Sequence, residues 1–150
     1  MPHQDKDDSR NVLFNQMNQP FTTYTLDAET LAKWDRIIAV RTAVNGALEA
    51  ARAEKKIGKA LEARVELTVP AEDAFLAQMD SQELADLLIV SQVSVTVGDS
   101  LSAAVHTAEG CKCQRCWKVL TSVGTVAEHP ELCKRCADVV TAMGFVPEAE

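Results

Sequence analysis

The stretch CQRCWKVLTSVGTVAEHPELCKRC, from Cys113 to Cys136, decides how the rest of the chain is read. Cys113 and Cys116 form one C-x2-C pair and Cys133 and Cys136 a second, with sixteen residues between the pairs. A C-x2-C turn aims two sulfurs at one point, and two such turns supply the four soft, deprotonated ligands that a tetrahedral zinc ion needs. Four thiolates leave no open position for water, so the expected ion is structural rather than catalytic. A redox dithiol needs one pair in a βαβ setting, and disulfides need a secreted context that nothing in the chain suggests. Cys111, two residues before Cys113, reads as a free thiol because Cys-x-Cys is a poorer chelating turn. His129, four residues before Cys133, is the other residue placed to stand in for one sulfur.

Outward from this stretch, 150 residues and 16.3 kDa allow one ordinary domain, or a small domain with a metal-stapled module. Hydrophobic residues make up 47% and aromatics only 5%, so aliphatic side chains must supply most of the packing. The first residues, MPHQDKDDSR, are polar, and neither a signal peptide nor an apolar run of membrane-spanning length is present. A reducing cytosol is the compartment expected, one in which free thiols bind metal.

The formal charge of −7 argues against a nucleic-acid partner, but its distribution argues the other way. Between residues 33 and 64 eight Lys and Arg outnumber four Asp and Glu, and between 111 and 136 five outnumber two. From Val65 to Gly110 there are eight carboxylates and no Lys or Arg. Such segregation puts a basic face on an acidic body, the footprint of a phosphate-backbone binder, or simply makes solvated helix faces.

Turn formers Asn11, Asn15, Asn18 and Pro20 make residues 1–20 an extended arm or a linker from a preceding domain, pinned by Phe21, Tyr24 and Leu26. Asp27 is the expected N-cap of a long helix from Ala28 to Lys56, stopped by Gly58. Leu31, Trp34, Ile38, Val44, Leu48 and Ala51 are its expected buried stripe, with Arg41 and Arg52 on other faces. Alternation over Ala63–Val69 predicts a half-buried strand ended by Pro70. Short helices are predicted over Ala71–Met79 and Ser81–Leu87, the second capped by Asp80 or Ser81. Strands are predicted over Leu88–Val97 and Ala103–Thr107 with a turn at Gly98–Ser100, and a last helix over Cys133–Met143 is stopped by Gly144. The sum is α+β: a long helix packed on a small β-sheet, followed by a zinc ribbon or knuckle with four cysteine ligands. The expected division is 1–20 arm, 21–108 α+β subdomain, 109–144 zinc module and 145–150 tail.

Two longer pieces carry a resemblance. WDRIIAVRTAVNGALEAARAEKKIGKALEARVEL (Trp34 to Leu67) resembles the C-terminal region of bacterial isoleucyl-tRNA synthetases. CQRCWKVLTSVGTVAEHPELCKRCADVV (Cys113 to Val140) resembles the terminal zinc finger of the same enzymes, with LLIVSQV (Leu87 to Val93) between them in the right order. The resemblance implies a tRNA-binding tail that extends the anticodon-binding region and holds the anticodon stem and loop. It carries the zinc ligands onto Cys113, Cys116, Cys133 and Cys136, and gives Cys111 no counterpart. Arg115, Trp117 and Arg135 fall on the CxRCW and CxRC positions. Neither HIGH nor KMSKS occurs, so no adenylation or aminoacyl transfer is expected of this segment alone.

Apart from the resemblance, Lys112, Arg115, Lys118, Lys134 and Arg135 are expected to line phosphates, with Arg41 and Arg52 as further contacts or as ion-pair partners of Glu49 and its neighbours. Trp117 either stacks on an unpaired base or packs against its knuckle, and Trp34 belongs to the core. Two other classes stand beside this reading. One is a freestanding zinc-ribbon adapter binding protein through the Leu88–Val97 edge. The other is a zinc-finger DNA glycosylase fragment, suggested by Met1-Pro2, although His3 replaces the acid expected there and the chain is too short for both domains.

Overall fold

Ala28 to Ala53 is one helix, α1, because Asp27 caps it: its Oδ1 accepts from the Thr30 backbone N–H at 2.7 Å. In the computed structural model, residues 12–14 and 25–144 are described. The chain divides into two compact units, residues 1–33 and 34–150. In the first, Val12–Phe14 is a 3-10 turn, Lys33 pairs with Glu29, and Leu26, expected as an anchor, is half exposed. The expected pins Phe21 and Tyr24, most of the arm over 1–20 and the tail over 145–150 lie outside the described residues.

The second unit holds the core. From Ile37 onward α1 buries Ile37, Val40, Val44, Leu48 and Ala51. The expected stripe is correct from Val44 on and one residue out of phase before it, since Ile38 is exposed and Trp34 is 42% exposed. Apolar residues occur on more than one face there, and packing, not periodicity, selects Ile37 and Val40. Leu31, expected in the same stripe, is also about half exposed. The helix ends at Ala53 rather than Lys56, because Lys55 turns left-handed (φ 59°). The Lys55 N–H then bonds Arg52 O and the Lys56 N–H bonds Ala51 O, a Schellman closure made without glycine.

Strand β1 (Ala63–Val69) matches its predicted span and buries Ala63, Val65, Leu67 and Val69. It is the middle of three strands: β2 (Gln92–Val97) runs parallel to it with Val65 opposite Val93, and β3 (Ser102–Thr107) antiparallel with Val65 opposite Val105. Between β1 and β2 the chain makes a 3-10 segment over Ala71–Gln78 and helix α2 (Ser81–Leu88). Asp80 caps α2 by accepting from the Gln82 and Glu83 N–H groups. Leu88–Ser91, expected as strand, closes α2 instead, with Ile89 left-handed (φ 58°) and Val90 sent into the core. Arg36 on α1 grips the fully buried Asp73 carboxylate with Nε at 2.7 Å and Nη2 at 2.6 Å, clamping helix to 3-10 segment.

Candidate metal centre

After β3 the chain forms a two-stranded ribbon, β4 (Cys111–Lys112) with β5 (Val119–Leu120), followed by helix α3 (Lys134–Ala142). The loop between β4 and β5 carries Cys113 and Cys116. It is closed by the Cys113 N–H to Lys118 O and the Trp117 N–H to Cys113 O, both at 2.9 Å, with Trp117 held left-handed (φ 65°). Cys133 stands at the N-cap position of α3 and Cys136 lies in its first turn, so a helix start aims the second pair. The Gln114 N–H to Glu131 O bond and the Gly124 N–H to Leu132 O bond draw the two pairs together.

The result is a cluster in which the four Sγ atoms of Cys113, Cys116, Cys133 and Cys136 all lie within 4.8 Å of one another. Zn–S bonds of about 2.3 Å in a tetrahedron require sulfurs about 3.8 Å apart, and Cys116 and Cys133 stand at 3.9 Å. Cys113, Cys133 and Cys136 are buried, and the satellite core around them is small: Leu120, Val123 and Leu132. Burial pushes the Cys113 thiol up, but the backbone N–H groups of Cys116, Cys133 and Arg115 outweigh it and hold it down at about 6. Cys116 is pushed up to about 12, by burial first and by neighbouring thiols after, and burial raises Cys133. Cys113 is therefore the readiest thiolate, while Cys116 and Cys133 are held toward the thiol and need a cation beside them to release their protons, which is the charge problem a divalent metal solves. The donor set fits a single structural zinc ion. Cys111 is exposed and neither it nor His129 joins the cluster.

With that geometry in place, comparison with known proteins is specific. Residues 110–139 match the zinc finger found in FPG and IleRS. The isoleucine-tRNA ligase of Neisseria gonorrhoeae is 39% identical over 123 residues, covering 81% of this chain and 13% of that protein. The chain matches the C-terminal zinc-finger region of isoleucine-tRNA ligases. The ligase of Dichelobacter nodosus is 43% identical over 107 residues, 71% of this chain and 12% of that protein. That of Syntrophotalea carbinolica is 42% identical over 124 residues, 75% and 13% respectively. The chain thus spans only a small part of the length of the curated relatives it matches.

The basic residues expected on the zinc module divide into several environments. Trp117 is 58% exposed, not packed into its knuckle, and Lys112 Nζ sits 5.5 Å from its ring centroid. Arg115 is exposed and donates from Nη1 to Cys136 Sγ at 3.7 Å. Arg135 is exposed, and Lys134 pairs with Asp138 at 2.8 Å. Lys118 corrects the expectation: it is 7% exposed, its ammonium paired with the Asp86 carboxylate of α2, where it meets the protein and not a phosphate. On α1, Arg52 pairs with Glu49, whereas Arg41 is exposed with no ion-pair partner among the described residues. Sequence reasoning missed Asp86, Ser91 and Gln92 altogether, since nothing in their spacing marks them as contacts of a module some thirty residues on.

Proposed function

We propose that this chain is a tRNA-binding part of an isoleucine-tRNA ligase, holding the anticodon stem and loop of its tRNA through the zinc module and nearby basic surface. The observation that carries it is the exposed Trp117 indole with the Lys112 ammonium over its ring, raised on a metal knuckle. An unpaired base stacks on an exposed indole, and a cation beside it draws the adjoining phosphate. Arg115, Arg135, Lys134 and, on α1, Arg41 add charge that positions RNA without reading it. Arg52 joins them by exchanging Glu49 for phosphate. Zinc, when bound, supplies shape and no reaction step. That the relatives are isoleucine-tRNA ligases is the ground for taking the rest of a synthetase as the partner, for a cytoplasmic setting, and for placing adenylation outside this segment. Among the described residues no helix is long and apolar enough to cross a membrane. The division into arm, α+β subdomain, zinc module and tail is part of the same proposal.

A gel-shift titration with isoleucine tRNA against an unrelated tRNA, repeated over a range of salt, tests it. Tighter, salt-sensitive binding of the former is expected. Trp117→Ala should cost about 1–3 kcal/mol. Lys112→Gln should lower the salt slope by about one, while Lys118→Met leaves it in place. Binding of neither tRNA would overturn the reading in favour of a protein-binding adapter.

A further inference from the structure

One of the two hydrogen bonds that close the loop carrying Cys113 and Cys116 is made by the peptide unit Lys118–Val119, and that unit is held from two sides. Its carbonyl accepts from the Cys113 N–H at 2.9 Å. Its N–H, that of Val119, donates to Ser91 Oγ at 2.7 Å, and the Ser91 hydroxyl donates in turn to Leu61 O at 2.6 Å. Ser91 lies just ahead of β2 and is 2% exposed. A ligand cysteine is therefore joined to the α+β body by an unbroken run of hydrogen bonds, each of which polarises the next.

Neighbouring contacts hold the same region. Lys118 is tied to Asp86. The Gln92 side-chain amide donates to Glu109 O at 2.8 Å and accepts from the Glu109 N–H at 3.1 Å, and it also reaches Val119 O at 3.4 Å. Gly110 (φ 107°) lets the ribbon close, since a Cβ there would run into the Leu120 carbonyl. Among the described residues, Ser91 is the side chain from the sheet side that bonds to the peptide closing the knuckle. It must accept and donate at once, which a small hydroxyl does and alanine cannot.

We propose that Ser91 is a positioning residue for the zinc site: without touching the metal, it presets the first knuckle from the sheet side, so that metal retention depends on the α+β body. The inference rests on the zinc site alone and is independent of RNA binding. Removing the hydroxyl orphans the Val119 N–H in a part-buried place and leaves the ion alone to hold the loop.

The test uses the full zinc-loaded chain, with zinc release into a chromophoric chelator and amide hydrogen exchange as paired readouts. Ser91→Ala should release zinc about tenfold faster, the scale seen when the outer partners of a metal site are removed. The Val119 amide should lose protection while the β1 amides of Val65 and Leu67 keep theirs. Release at the wild-type rate would overturn the proposal, as would β1 protection falling in step with Val119, which marks general loosening of the sheet. If S91A does not fold, the wild-type chain decides: a Val119 amide exchanging as slowly as Val65 supports the anchor, and one exchanging like an exposed loop overturns it.

Discussion

Among the described residues, Lys55, Ile89 and Trp117 are the non-glycine positions in the left-handed backbone region. Such a conformation costs an L-residue roughly 1–2 kcal/mol, and a β-branched one is the least suited to it. At Ile89 the strain buys a sharp exit from α2 that sends Val90 into the core, yet the Ile89 side chain is itself about half exposed and contributes little packing. Ile89→Gly should therefore raise unfolding stability by about 0.5–1 kcal/mol in a urea titration, the relief of strain exceeding glycine's entropy cost in the unfolded chain. Trp117 is a different case. Its left-handed backbone belongs to the closure of the first knuckle, and its indole is left at the surface beside Lys112.

At the scale of elements, two polar devices join segments that apolar pattern alone would leave loosely set. Arg36 reaches from α1 to Asp73, whose carboxylate is fully buried, and to the exposed Glu72. Asp73→Ala should destabilise the chain by about 2 kcal/mol, less than for a wholly buried pair because Arg36 remains half in water; the shift in urea midpoint reads it. Glu62 binds the backbone N–H groups of Gly58 and Lys59 with one oxygen, ordering the approach to β1, and those N–H groups hold its carboxyl below its usual 4.5. A carboxyl lowered in the folded chain stabilises it fully above the ordinary value and loses that contribution as pH falls through the lowered one. The wild-type chain should lose stability below pH 4.5 more steeply than Glu62→Gln, as thermal melts across that range would record.

These joints also explain what was legible in sequence. Strand β1 could be read to the residue because it is buried on one face and solvated on the other, so a period of two survives. Asp27 could be read as a cap, and the cap of α2 narrowed to Asp80 or Ser81, because capping is a local event. The phase of α1 before Val44 was not legible, since its choice of buried face depends on segments far along the chain. The same holds for Leu88–Ser91, where an apolar run suits a strand and a helix end equally, and for the order β2-β1-β3. The metal ligands could be read because four thiols at fixed spacing have few other uses, while Lys118 looked like any other basic residue of its loop until Asp86 came into view.

At the scale of the whole molecule, the chain combines a core that needs no metal with a module that does. Val65, Leu67, Val69, Leu76, Leu84 and Leu88 pack with α1 into a continuous cluster, whereas the sulfurs are surrounded by three partly buried apolar residues, Leu120, Val123 and Leu132. A module with so little apolar surface draws its folding energy from the ion. Chelation should release one zinc per chain and abolish amide protection over 111–144, leaving β1 and the middle of α1 protected. Hydrogen exchange before and after chelation checks this, and loss of protection throughout would mean that the two parts fold only together.

Cys111 stands on β4 one residue before Lys112, outside the sulfur cluster and open to solvent. Once the other four thiols are occupied by metal, it becomes the sole address at which a maleimide dye can be attached to the native chain. Nature has thus left a labelling handle next door to the Lys112 and Trp117 pair, from which a fluorophore would report the arrival of a ligand without any cysteine having to be engineered in.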